Sequence, residues 1–92
     1  MIKSFRSAET RALFETGKSK RFGAITTVAT RKLTQLHAAT TLAFLKSPPG
    51  NHLEALKGDR KGQHSIRIND QWRICFRWTS AGPEDVEIAD YH

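Results

Sequence analysis

Between Gln71 and Trp78 every second residue is large and apolar. Trp72, Ile74, Phe76 and Trp78 fall on one side of an extended chain, and Arg73, Cys75 and Arg77 on the other. Successive side chains of a strand point to opposite faces, so the run fits a sheet whose apolar face is the core and whose second face is open. The stretch His64 to Ile68 agrees, with Ile66 and Ile68 on one side and Ser65 and Arg67 on the other. Farther along, Asp85 to Tyr91 sends Val86 and Ile88 to the core and leaves Glu87, Ala89 and Tyr91 facing the way of the arginines. A basic sheet surface carrying Arg67, Arg73 and Arg77 follows.

The first half of the chain reads as helical. Ile2 to Phe5 alternates like a short strand, and Ser7 then stands as an N-cap with Glu9 in the first turn, where an acid favours the helix dipole. Gly17 is a natural left-handed stop, so the helix is expected to end near Thr16. From Ile25 to about Ala38 the residues Ile25, Val28, Ala29, Leu33 and Leu36 recur at helical spacing, with Arg31, Lys32 and Gln35 placed outward. Thr40 or Thr41 caps one further short helix through Leu42 and Leu45, which Ser47-Pro48-Pro49-Gly50 breaks. After Asn51 come four strand candidates, Leu53 to Leu56, His64 to Ile68, Gln71 to Thr79 and Asp85 to Tyr91. Asn69-Asp70 suits a two-residue hairpin turn, and Ser80 to Glu84 reads as a loop. The expected class is α+β, one domain over residues 1–92, with an N-terminal strand and two to three helices packed on one face of a largely antiparallel, twisted sheet.

Fifteen Lys and Arg against nine Asp and Glu give a net charge of +6, which makes a polyanion the first partner to consider. No apolar stretch approaches the roughly 20 residues of a membrane span, and Met1 to Phe5 has no signal-peptide character, so a cytoplasmic protein is expected by default. The single cysteine, Cys75, offers neither a disulfide nor a cysteine zinc site and reads as a packed thiol. His37, His52, His64 and His92 with Glu54 and Asp59 lack the spacing of a zinc site, so no metal and no cofactor is expected.

Tyr91 beside guanidinium groups on an open sheet is the arrangement that single-stranded nucleic acid uses, with charge following the phosphates and the ring stacking on a base. Arginines on such a face also serve as solubility devices, and spacing does not choose between the two. Arg67, Arg77, Arg60, Lys61 and His52 are the candidate RNA contacts. The chain runs on to Asp90-Tyr91-His92. An imidazole titrates near neutral pH, which suits His92 to general acid or base work, and Asp90 is placed to orient it. Lys57 and Arg73 supply positive charge for a phosphate. Together these are the parts of a metal-free ribonuclease, in which the ribose 2′-hydroxyl attacks the neighbouring phosphorus.

At Leu56-Lys57-Gly58-Asp59-Arg60, at Ser65 through Ile74 and at Asp90-Tyr91-His92, the chain resembles the HigB branch of RelE-type toxins from bacterial toxin-antitoxin pairs, over almost its full length. The resemblance implies a RelE-like microbial ribonuclease fold and ribosome-dependent cleavage of mRNA in the decoding site of the 70S ribosome. It also implies a monomeric toxin that forms a hetero-oligomer with a cognate helix-turn-helix antitoxin, HigA-like. The functional set it carries over is Lys57, Arg73, Asp90, Tyr91 and His92, with Lys57 and Arg73 near the scissile phosphate. Some relatives have a histidine where this chain has Glu54, so Glu54 either shares the proton work with His92 or is a surface carboxylate. Tyr91 is a stacking residue rather than a base, because a phenol near pKa 10 stays protonated at neutral pH. Asp90 is in phase with the core face and either turns at the strand end or supports the site from beneath. Two other classes stay open, a non-catalytic RNA or ribosome binder and a protein-binding module for an acidic partner.

Overall fold

Ser7 accepts the backbone N–H of Thr10 at 3.2 Å and Gly17, at φ 72°, returns its own N–H to Leu13, so the first helix, α1, runs Ala8–Thr16 as its caps predict. The second, α2, covers Thr26–Ala38. Thr41 accepts the N–H of Phe44 and caps a 3-10 turn at Leu42–Lys46; two more such turns lie at Gly23–Ile25 and Gly58–Arg60. In this computed structural model, which describes residues 1–48 and 50–90, the helices pack against one face of a four-stranded antiparallel sheet. Its strands are β1 (Glu54–Ala55), β2 (His64–Arg67), β3 (Arg73–Thr79) and β4 (Gly82–Ala89), in that spatial order. This is the α+β class the sequence predicts.

Register explains the core. Ile66 pairs with Ile74 and Ile74 with Ile88, so one isoleucine from each of β2, β3 and β4 lies in a row under Leu13, Leu33, Leu36 and Leu45 of the helical layer. Ser65, Cys75 and Glu87 form the corresponding row on the opposite face. Trp72 and Trp78 keep to the core side as half-buried flanks, and Trp72 meets the buried Phe22 edge-on at 5.3 Å.

Four local expectations change. The residues Ile2 to Phe5 lie alongside β4 through one parallel bridge, Phe5 to Val86, rather than as a full strand. They still take the outer edge of β4: Lys3 donates to Pro83, Val86 to Ser4 and Arg6 to Val86, at 2.8–3.1 Å, and beyond them the Thr10 hydroxyl accepts Ile88 N–H at 3.0 Å. Second, β4 starts at Gly82, not Asp85, because Ser80-Ala81 closes the hairpin and Asp85, at φ 52°, forms a bulge. The extra residue shifts the register between Cys75 and Arg77, which lets both Pro83 and Val86 turn inward. Third, Asn69 does not enter a two-residue turn. Its side-chain oxygen accepts the N–H groups of Gln71 (2.9 Å) and Trp72 (2.7 Å) and holds a wider loop.

The fourth change is Lys32. It shares the stripe of Ala29, Leu33 and Leu36, is only 6% exposed, and donates to the carbonyls of Arg67 at 2.6 Å and Gly50 at 3.4 Å. Those inward carbonyls give a buried ammonium what it lacks on an apolar face.

At the β3–β4 turn, Gly82 sits at φ 126°, and a β-carbon there would stand 2.4 Å from the Met1 carbonyl oxygen. Gly82→Ala is therefore expected to lower unfolding free energy by about 2 kcal/mol or more, read by urea denaturation.

Candidate functional site

The face of the sheet turned away from the helices is built around Arg73, at the start of β3. Its Nε donates to the Ser65 hydroxyl at 2.7 Å across the β2–β3 pairing, and its Nη2 donates to the His52 carbonyl at 2.6 Å. Glu54, opposite Ser65 on β1, brings Oε1 to 3.6 Å from the same Nε. The guanidinium is thus held on one edge, by Nε and Nη2, in a side chain that is 17% exposed, and among the described residues Nη1 has no hydrogen-bond partner. His52 is itself exposed and sits at φ 46°, a left-handed conformation that turns its carbonyl toward the arginine.

A second cluster centres on Glu87 of β4. Arg60 donates to it at 2.9 Å and to Gln63 at 3.2 Å, and Arg6 lies 4.0 Å from the same carboxylate oxygen. Lys57 precedes this arginine on one turn: Leu56 N–H bonds Gln63, and Arg60 N–H bonds the Lys57 carbonyl. Lys57 and Lys61 are exposed, whereas Arg60 is largely withdrawn into its ion pair.

Beneath the two clusters lies Cys75, fully buried. It is the packed thiol the sequence predicts, and burial pushes it up to about 11, against the pull of Arg60, which keeps it protonated at neutral pH. The remaining arginines are each tied locally, Arg67 to Asp70 and Arg77 to Asp85, the latter at 3.7 Å. Arg67 is the cross-strand partner of Arg73, but its guanidinium turns to Asp70 rather than to the Arg73 cluster. Asp90 follows the last residue of β4, is exposed, and accepts from Gln71 at 3.1 Å. Tyr91 and His92 lie outside the described residues. Among the described residues no three His, Cys, Asp or Glu side chains come together in a way that would hold a metal ion.

Of the residues singled out from sequence, the fold brings together Arg73, Glu54 and the backbone of His52, and places Lys57 on the turn that carries Arg60. It adds Ser65 and Glu87. Period two put both on the arginine side, but only cross-strand register shows that Ser65 meets Arg73 and that Glu87 sits opposite Cys75.

The model of a known family, the RelE-like toxin of type II toxin-antitoxin system HigB, matches residues 3–92. The chain belongs to this family. Toxin HigB-1 of Vibrio cholerae is 50% identical over 48 residues, which is 52% of this chain and 50% of that protein. An uncharacterized protein of Haemophilus influenzae is 39% identical over 51 residues, again spanning 50% of the relative. Endoribonuclease HigB of Proteus vulgaris is 33% identical over 94 residues, covering 100% of both chains. The resemblance drawn from Leu56 to Arg60 and Ser65 to Ile74 is borne out, and the two-helix, four-strand arrangement fits a RelE-like HigB fold. No helix among the described residues is long and apolar enough to cross a membrane.

Proposed function

We propose that this HigB-family chain is an endoribonuclease that cuts translated mRNA on the ribosome, using its own side chains for the proton transfers and the phosphate charge. The observation that carries the proposal is Arg73, held on one edge by Ser65 and His52 on the open face of the sheet. Family membership and the full-length match to a protein named Endoribonuclease HigB support the class of activity. Membership in a type II toxin-antitoxin family also implies a cognate antitoxin as partner.

In the proposed reaction the unengaged edge of Arg73 and the ammonium of Lys57 meet the scissile phosphate. The 2′-hydroxyl loses its proton, its oxygen attacks phosphorus in line, and the departing 5′ oxygen gains a proton. His92 carries one of the two transfers and Glu54, beside Arg73, is placed for the other. Tyr91 stacks on a base, and Asp90 sets the approach of the residues that follow it. Positive charge fixed before the reaction is worth most where water is scarce, so the ribosomal decoding site supplies both geometry and enclosure. Affinity for the RNA surface comes from the +6 charge and is expected to weaken with salt.

Mapping new 5′ ends of a message in a purified translation system tests this. Discrete new ends are expected with translating ribosomes, and few or none on the same RNA free in solution. Binding to ribosomes without new ends would replace the enzyme with the non-catalytic growth regulator.

A further inference from the structure

Among the described residues, Lys32 is the only charged side chain that is buried. Burial lowers its pKa from the ordinary lysine value, and the positive charges of Arg31, Arg67 and Arg73 lower it further. A position so unfavourable for an ammonium on the apolar stripe of α2 calls for a specific partner, and the carbonyls of Arg67 and Gly50 provide it. Gly50 lies where the chain returns from the helical layer to the sheet, and Arg67, the last residue of β2, is bonded to that segment through Asn51.

The returning segment is held at every residue. Asn51, fully buried, donates its side-chain amide to Leu45 at 3.2 Å and Gln35 at 3.4 Å, and its carbonyl accepts Arg67 N–H at 2.6 Å. Arg67 therefore gives its N–H to Asn51 and its carbonyl to Lys32. The next residue, His52, takes the left-handed conformation and hands its carbonyl to Arg73 Nη2. From the ammonium to the guanidinium there is one continuous path: Lys32, Gly50 and Asn51, the His52 carbonyl, Arg73. Remove the ammonium and two inward carbonyls lose their donor at the base of the segment that orients Arg73.

We propose that Lys32 is a positioning residue for cleavage: by fixing Gly50 through His52 it sets the edge of the Arg73 guanidinium that is free to meet the RNA phosphate. The proposal rests on the role given to Arg73 above. It assigns Lys32 no contact with RNA.

The test is a double-mutant cycle in the full-length chain, read by single-turnover cleavage of ribosome-bound message and by the Arg73 Nε–H resonance in a 15N–1H spectrum. Lys32→Met is expected to slow cleavage by about tenfold or more, in line with the cost of small displacements at a reacting centre. It should leave apparent affinity for ribosomes unchanged and move the Arg73 resonance. Added to Arg73→Ala, it should cost nothing further. Equal losses in both backgrounds, an unchanged rate, or an unmoved resonance would each overturn the proposal. If Lys32→Met does not fold, Lys32→Gln is read by the same two measurements, with a smaller rate loss and a resonance between those of the other two proteins. Should Arg73→Ala cleave like the wild type, the catalytic reading of Arg73 fails, and the resonance still reports whether Lys32 holds the guanidinium.

Discussion

Arg73→Ala is expected to reduce single-turnover cleavage of ribosome-bound message by about a hundredfold or more, with ribosome binding changed far less. The phosphate gathers negative charge as the 2′ oxygen attacks, and a donor already fixed in place needs no rearrangement to meet it. Arg73 is fixed in that sense: Ser65 and His52 hold Nε and Nη2, and Glu54 faces the same edge. The variant loses those hydrogen bonds at a half-buried position, so a modest fall in melting temperature accompanies it, too small to unfold the protein at 25 °C. Arg73→Lys keeps the charge but not the fork, and belongs between the two in rate. New 5′ ends at wild-type yield from Arg73→Ala would remove this arginine from the site.

His92→Ala is the second large loss, of about a hundredfold to ten-thousandfold, the usual worth of a positioned acid or base. The argument is chemical, since His92 lies outside the described residues. An imidazole exchanges its proton near neutral pH, where lysine and arginine stay charged and the buried thiol of Cys75, pushed up to about 11, stays neutral. The wild-type rate is expected to bend with pH near neutrality and the profile of the variant to lose that bend. A variant that keeps both the rate and the bend would mean that another group moves the proton.

Helix α2 was legible from its apolar spacing, and α1 and the turn at Leu42–Lys46 because their ends are local chemistry. Ser7, Gly17 and Thr41 each act on a backbone group within three or four residues, so no knowledge of the fold is needed to place them. Strand β3 was legible because both of its faces are chemically distinct. The start of β4 was not, since a proline and a glycine at Gly82-Pro83 look like a loop until an edge partner, here Lys3, and a bulge at Asp85 supply the geometry that admits them. Lys32 was placed outward because periodicity ranks lysine as polar and takes no account of carbonyls arriving from Gly50 and Arg67, eighteen and thirty-five positions away. The same limit governs the site. Arg73 could be chosen from its motif, but its clamp includes the carbonyl of His52, and a backbone oxygen leaves no signature in the residue letters.

With β3 on one flank and residues 3 to 6 and Thr10 on the other, the outer edge of β4 is already engaged at Pro83, Val86 and Ile88. The opposite border of the sheet is β1, a mere Glu54–Ala55. Short borders of this kind give a foreign chain little backbone to pair with. A partner such as the antitoxin that type II family membership implies would then find contour and charge on the broad surfaces more readily than bare backbone at the margins.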